Sequence, residues 1–169
     1  KLEEAVAIYH EALSIKPNLA EAHSNHGKVL RDLGRFEEAV VSCNRALEIK
    51  PDYAEAYNNL GIAVQELGRP DEAVIHYRKA LDMKANFVEA YNNLGHVLVH
   101  LRQLDEAVDY CHKALSIKPD CAEAHHTLGQ ALLKKGHHKD GLKYTQKGEG
   151  VIEFKHDESR HFQLLMGHE

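Results

Sequence analysis

The chain of 169 residues has no tryptophan, only three cysteines and no long run of apolar residues. The cysteines are odd in number and never occur in CxxC spacing, which argues against a disulfide framework or a zinc knuckle and fits a reducing compartment. No stretch of about 18 apolar residues could span a bilayer, and the N-terminus lacks the basic and then apolar order of a signal peptide. We therefore expect a cytoplasmic protein without membrane insertion.

The sequence also lacks the patterns of nucleic-acid binding and of catalysis. Its net charge is −5, and no block of Lys or Arg could follow a phosphate backbone. It has no GxSxG, P-loop or HExxH motif, and no GxGxxG that follows a strand. These absences predict that the chain binds no nucleic acid, uses no cofactor and is not an enzyme.

What the chain does contain is a repeated segment, represented by AEAYNNLGIAVQELG at residues 54–68. Its central glycine, Gly61, has counterparts at a constant interval of 34 residues, at Gly27, Gly95 and Gly129. A constant interval marks a repeat protein, in which each unit buries its apolar face only against neighbouring units. With 43% hydrophobic residues, the chain has enough apolar side chains for one elongated domain.

The interval and the recurring pattern resemble the tetratricopeptide repeat family. The pattern consists of a small residue, an aromatic residue, Asn, Leu-Gly, Ala, Ala-Leu and Lys-Pro, and it extends to about residue 152. The resemblance implies an all-α fold, a right-handed superhelical solenoid of antiparallel helix pairs. It also implies that the first helix of each repeat (helix A) lines an inner groove and that the second (helix B) faces outward.

The spacing of the repeats predicts one solenoid domain with five further segments after a partial repeat. Residues 1–19 align with the second helix of a repeat, so we expect the chain to start in mid-repeat with an uncovered apolar face. Three full repeats, a degraded repeat and a C-terminal capping helix or tail follow, at 20–53, 54–87, 88–121, 122–155 and 156–169.

Small residues are expected to set the distance between the two helices of a repeat. The glycine column on helix A lacks a Cβ and so admits helix B, and the alanines expected opposite are Ala39, Ala73 and Ala107. Cys43 and Cys111 stand where another repeat has Tyr77, and we interpret both as core residues.

A second column of glycines should end each helix A. Gly34, Gly68 and Gly136 occupy a place where the chain must turn with positive φ. In the third repeat Arg102 occupies that place. The pattern therefore predicts one strained turn.

The C-terminal residues Asp157 to Met166 keep the spacing of the repeats. Phe162 and Met166 fall one interval after two leucines of the fourth repeat, which predicts a helix that buries both side chains against that repeat. The alternative is a tail that enters the groove and imitates a ligand.

Asparagines on the open side of helix A form the candidate binding site. An inward-facing amide can bond both the C=O and the N–H of an extended peptide. The column resembles the asparagine ladder of O-GlcNAc transferase-like repeat arrays, which implies that it holds a peptide main chain. The alternative is that each Asn bonds the adjacent helix. The column consists of Asn25, Asn59 and Asn93 and is broken at Thr127, and further groove residues are Asn58, Asn92 and Lys28.

Charged residues near this column argue against a clamp for C-terminal carboxylates. Such a clamp uses Lys and Arg on the inner faces of the helices, whereas here Lys28 is the one basic residue at the corresponding places. The first turn of helix A carries acids instead, and the helix dipole favours a negative charge there. These acids are Glu21, Glu55, Glu89 and Glu123.

Three histidines near the end of the groove are a candidate metal site. His96 and His100 are four residues apart on one helix A, and His126 on the next helix A could approach them. The alternative is that they fill polar surface, as isolated histidines usually do.

The sequence thus favours a protein interaction module that binds an extended segment of a partner protein in its groove. Two alternatives stay open. One is the targeting part of a larger enzyme, such as a glycosyltransferase or a methyltransferase. The other is a scaffold that self-associates through its uncovered N-terminal helix.

Overall fold

The computed structural model describes residues 1–150, 154–156 and 162–164, with side chains described for residues 1–150. The helices are α1 Leu2–Ile15, α2 Ala20–Asp32, α3 Phe36–Ile49, α4 Ala54–Glu66, α5 Pro70–Met83, α6 Val88–His100, α7 Leu104–Ile117, α8 Ala122–Lys134 and α9 His138–Gly148. The strands are β1 Phe154–His156 and β2 Phe162–Leu164. Within this part of the chain, none of the helices has the length and apolar character of a membrane span.

Consecutive helices are joined by short turns and pack against each other along the chain, which confirms the all-α solenoid. The A helices are α2, α4, α6 and α8, and the B helices are α1, α3, α5, α7 and α9. Successive A helices also contact each other, whereas among the described residues successive B helices do not. The stack therefore curves with the A helices on its inner side.

The turn between helix A and helix B of each repeat contains the residue of the second glycine column. Gly34, Gly68 and Gly136 have φ angles of 76°, 74° and 87°, and Arg102 has a φ of 63°. Each angle lies in the left-handed region, which favours glycine because a Cβ crowds the backbone there. The predicted strained turn at Arg102 is confirmed.

Helices A and B of a repeat approach most closely at the first glycine column. A Cβ at Gly61 would lie 2.6 Å from the ring of Tyr77, and one at Gly27 would lie 2.6 Å from Cys43 Sγ. The predicted alanines are fully buried, but the closest contacts come from the residue one turn later on helix B. The backbone oxygens of Ala39 and Ala107 also lie near Gly27 and Gly95, at 3.2 and 3.7 Å from the added Cβ, so both alanines lie opposite the glycine column as predicted, and the side chain one turn later makes the closer contact.

The core is continuous through the middle of the stack and includes Cys43, Leu60, Tyr77, Leu94 and Leu98. Cys43 and Cys111 are fully buried, and burial raises the pKa of each thiol to about 12. Since the thiolate is the nucleophilic form, both cysteines act as core residues, as the sequence predicted.

One core position of helix A holds a polar residue. His26 in α2 stands in the column that contains Leu60, Leu94 and Leu128 in the later repeats. It is 7% exposed, and its Nε2 is buried without a hydrogen-bond partner among the described residues. A buried nitrogen without a hydrogen-bond partner lowers the free energy of unfolding, and a leucine at this position would not carry that cost.

His26→Leu is expected to raise the free energy of unfolding by about 1 kcal/mol at pH 7 and by more at pH 5. Burial first, and then His10, His23 and Arg35, the residue directly before α3, hold the pKa of His26 below 6.5, while Glu38 raises it. The unfolded chain therefore binds a proton more readily than the folded one as pH falls, and the wild type loses stability below about pH 6.5. Chemical unfolding at both pH values measures the difference.

Part of the acid sensitivity should remain in His26→Leu. Burial also lowers the pKa of His76 and of His96, so both continue to favour protonation of the unfolded chain. An equal loss of stability between pH 7 and pH 5 in wild type and variant would contradict the role of His26.

The predicted C-terminal capping helix over Asp157 to Met166 is wrong at Phe162–Leu164. These residues form a strand that pairs antiparallel with Phe154–His156, so that Phe162 faces His156 along the ladder. Phe-Gln-Leu alternates apolar and polar residues as strands do, and over so few residues the same pattern also satisfies helical spacing. Residues 157–161 and 165–169, and the predicted burial of Phe162 and Met166, lie outside what the structure describes.

Candidate peptide-binding groove

All six predicted groove residues line two adjoining depressions on the A-helix side of the stack. The first depression is small, about 130 Å³, and contains Asn25, Lys28, Asn58 and Asn59 in its wall. The second, about 830 Å³, contains Asn92, Asn93, His96 and His126. Glu89 lines both depressions, so together they form one groove across α2, α4, α6 and α8.

Asn59 and Asn93 each bond the preceding A helix. Asn59 Nδ2 donates to Ser24 Oγ at 3.1 Å, and Asn93 Nδ2 donates to Asn58 Oδ1 at 3.0 Å. Both bonds join an asparagine to the residue 35 positions earlier. These two amides therefore contribute to the stacking of the repeats, which is the alternative that the sequence left open, and each keeps further bonding capacity.

The neighbouring amides continue these contacts toward the acids of the groove. Asn58 Nδ2 donates to Glu89 Oε1 at 3.2 Å. Asn92 Nδ2 donates to Cys121 Sγ at 3.1 Å, and the Cys121 thiol donates to Glu123 Oε2 at 3.2 Å. Sequence analysis missed Cys121 as a groove residue, although its position directly before α8 beside the acidic column was visible.

The asparagine column is interrupted at Thr127, and the interhelix bond of the earlier repeats is lost there in the described part of the chain. Asn92 occupies the same place in its repeat as Asn58, but its Oδ1 is buried without a partner among the described residues. The reason is that Thr127, the counterpart of Asn93, is too short to supply the amide N–H. The interhelix bond that joins the earlier repeats is therefore absent here, within residues 1–150.

Asn25 and Lys28, at the start of the groove, are exposed. Within the described part of the chain the side chain of Asn25 makes no hydrogen bond, unlike Asn59, which is 9% exposed. The three members of the asparagine column are therefore not equivalent. Asn25 offers its whole amide to a ligand.

Two glutamates of the acidic column are held by local partners. Glu55 pairs with Lys84 at 2.7 Å, and the hydrogen bond from Lys84 is the main reason that the pKa of Glu55 is lowered. The pKa of Glu123 is lowered first by its own backbone N–H and then by the Cys121 thiol. Both acids therefore stay ionised, and the charge of Glu55 is balanced by Lys84.

The three candidate metal ligands are not brought together as one site. His96 Nε2 and His100 Nε2 lie 3.2 Å apart, whereas His126 Nε2 contacts the amide nitrogen of Gln130 at 2.8 Å. Within residues 1–150 and the two strands, no group of three or more His, Cys, Asp or Glu side chains could hold a metal ion. His96 instead forms part of the groove wall.

Solved structures with the same architecture include MamA and YrrB. A crystal structure of MamA is 28% identical, with a TM-score of 0.78 over 88% of this chain and 86% of that chain. YrrB, described as a TPR protein with an unusual peptide-binding site, is 25% identical, with a TM-score of 0.71 over 87% of this chain and 76% of that chain. MamA from Desulfovibrio magneticus RS-1 shares the fold at 22% identity, with a TM-score of 0.77 over 88% and 84% of the two chains.

The family comparison agrees with the helix pairs. No curated protein sequence matches this chain. Residues 18–86 match the tetratricopeptide repeat, and so do residues 88–121. These two matches cover more than half of the sequence, and the chain therefore belongs to the tetratricopeptide repeat family.

Proposed function

We propose that the groove across the A helices binds an extended segment of a partner protein. The observation that carries this proposal is the placement of five asparagines and Lys28 along one groove. Stacked repeats create extended inner surfaces of this kind for binding. The description of YrrB as a protein with a peptide-binding site supports the same use of the fold.

The amides would bind the main chain of the segment. Asn25 supplies a complete amide, which can accept from a peptide N–H and donate to a peptide C=O. Asn59 and Asn93 each use one amide N–H for the interhelix bond, and their remaining donor and acceptor groups would bind the ligand. The interhelix bonds fix the orientation of each amide before the ligand binds. In this respect the groove is similar to the asparagine ladder of O-GlcNAc transferase-like arrays.

The charges along the groove favour a basic side chain on the partner. Glu89 lines both depressions and Glu123 lies in the second, whereas each depression contains one lysine, Lys28 in the first and Lys118 in the second. Because main-chain contacts are nearly independent of sequence, these acids would supply most of the selectivity. A free C-terminal carboxylate is a poor match for them.

Replacing the groove amides is expected to weaken peptide binding. The variants differ in whether they also lower the stability of the fold. Peptides selected from a random display library on the intact chain serve as the probe. Asn25→Ala should reduce their affinity about fivefold, the equivalent of one hydrogen bond, with no change in melting temperature. Asn59→Ala should reduce affinity and also cost about 1 kcal/mol of stability, because Ser24 loses its partner.

A matched control is Asn44→Ala, which removes an exposed asparagine from α3 on the outer side. It should change neither the affinity nor the melting temperature. Sedimentation of the free protein at several concentrations tests self-association, which the exposed Ile8 and Ile15 of α1 favour. Selected peptides that bind the Asn25, Asn59 and Asn93 triple alanine variant as tightly as wild type would refute the groove proposal.

A further inference from the structure

A pair of packed aromatic rings recurs between helices A and B of the later repeats. The ring centroids are 6.3 Å apart for Tyr57 and His76 in the second repeat and 6.0 Å apart for Tyr91 and Tyr110 in the third. In the fourth repeat His125 and Tyr144 stack at 5.8 Å. The second member of each pair lies on helix B.

The first repeat lacks the second ring. His23 occupies the helix A position, but the helix B position holds Ser42. A pocket of about 690 Å³ lies at this place between α1, α2 and α3, with His23, His26 and Ser42 in its wall. The space that a ring fills in the other three repeats is therefore open in this one.

The hydrogen bonds around Ser42 define the state of His26. The Ser42 hydroxyl donates to the carbonyl oxygen of His23 at 2.9 Å. Since a serine has one hydroxyl proton and the shorter contact is the one to the His23 carbonyl oxygen, we assign Nδ1–H of His26 as the donor in its 3.2 Å contact with Ser42 Oγ. The neutral imidazole then presents Nε2 as an acceptor, and no described residue donates to it.

The electrostatic surroundings keep His26 in this neutral state. Burial lowers its pKa, and His10, His23 and Arg35 lower it further, against the opposite effect of Glu38. At neutral pH Nε2 therefore stays unprotonated and remains a hydrogen-bond acceptor. It needs a donor from outside.

The remaining walls of the pocket suit an aromatic ring. Leu13, Leu30 and Val41 supply apolar contacts, and the polar residues that complete the wall are Glu37, Glu38, Asn44, Arg45 and Glu48. The exposed ring of His10 lies edge-on against His26, with 4.9 Å between centroids. Because Nε2 is buried, a ligand reaches it only after a neighbouring side chain moves. The pocket borders α1 and α3, which are B helices, and it shares no lining residue with the groove.

We propose that this pocket binds a tyrosine side chain of a partner protein. Its ring takes the place that His76, Tyr110 and Tyr144 fill in the later repeats, and its hydroxyl donates to His26 Nε2. Phenylalanine would fill the space but leave Nε2 unpaired, as it is in the free chain, so only tyrosine gains a hydrogen bond on binding. The site therefore distinguishes tyrosine from phenylalanine.

The test compares p-cresol and toluene, the side chains of tyrosine and phenylalanine, as ligands of the full chain. Histidine ring signals are followed by NMR at pH 7.5 during titration. In wild type, p-cresol should shift the His23 and His26 signals saturably and bind about fivefold to tenfold more tightly than toluene. Equal binding of the two ligands, or no saturable shift with p-cresol, would overturn the proposal.

Two variants locate the site independently. Ser42→Tyr restores the ring that the third and fourth repeats carry and should abolish binding of both ligands. His26→Leu removes the acceptor but keeps the space, so p-cresol should lose its advantage over toluene. Circular dichroism establishes that each variant is folded, and His26→Leu alone decides the matter if Ser42→Tyr does not fold. Unchanged preference for p-cresol in His26→Leu would reject the assignment of Nε2.

Tyr110→Ser provides a positive control in another repeat. It removes a ring from the third repeat, where Tyr91 is its partner, and leaves Leu94 in place of a histidine. The opened space should bind toluene and p-cresol equally. A clear preference for p-cresol at this site would show that the preference does not depend on His26.

Discussion

Tyr77→Ala is expected to lower the free energy of unfolding by about 3 to 5 kcal/mol, the range for removing a large buried aromatic side chain. Tyr77 is 1% exposed and belongs to the central core cluster. Its ring lies against Gly61, and its hydroxyl donates to Gln65 Oε1 at 3.1 Å. The neighbouring side chains cannot move in to fill the cavity, because the adjacent helices are held apart by their own side chains.

The consequences should extend beyond the second repeat. In a stack each repeat is stabilised mainly by its neighbours, so loosening the middle also weakens the repeats on either side. Chemical unfolding followed by circular dichroism measures the loss. We expect a reduced midpoint and a less cooperative transition.

Two substitutions at the same position serve as controls. Tyr77→Phe keeps the ring and removes only the bond to Gln65, which corresponds to about 1 kcal/mol. Tyr77→Cys introduces the residue found at Cys43 and Cys111 and should fall between Phe and Ala. If Tyr77→Ala costs no more than Tyr77→Phe, the ring does not fill the core in the way described.

Gly129→Ala should destabilise the α8–α9 pair by about 3 kcal/mol, the upper part of the range for overpacking a close contact. A Cβ at Gly129 would lie 2.7 Å from the backbone nitrogen of Thr145 and 2.8 Å from the carbonyl oxygen of Gly141. Backbone atoms cannot move aside as a side chain can. The last helix must therefore shift as a whole.

Gly95→Ala is the matched control because Gly95 occupies the same column. There a Cβ would lie 3.0 Å from Cys111 Sγ and 3.7 Å from the nearest backbone oxygen, so a small adjustment of one thiol suffices. Alanine also favours a helix over glycine by about 1 kcal/mol, and the net change should be near zero. Thermal melts that show equal effects at Gly95 and Gly129 would contradict the argument.

The glycines of α9 illustrate how a local rule and a tertiary contact differ. Gly141 and Gly148 lie within helix α9, His138–Gly148, although glycine disfavours helix interiors. A Cβ at Gly141 would be 2.7 Å from the side chain of Leu133, and one at Gly148 would be 2.7 Å from the backbone nitrogen of His126. The sequence suggests a weakened helix, while the structure shows glycines that permit close packing.

The C-terminal segment and the asparagines show two further limits of the sequence. The spacing of Phe162 suggested a helix, but Phe162–Leu164 is a strand, because a few residues satisfy both periodicities. At Asn59 and Asn93 the sequence left two partners open, a peptide or the adjacent helix. The contact with the adjacent helix depends on residues 35 positions away.

The sequence by itself determined the number, order and limits of the helix pairs over residues 1–150, including the strained turn at Arg102. It could do so because helix formation, turn geometry and the 34-residue interval are local properties of the chain. Only the tertiary structure decided which amide bonds which helix, which glycines meet backbone, and where His26 finds no donor. Those outcomes depend on how closely neighbouring helices approach, and that distance is set jointly by side chains from different repeats.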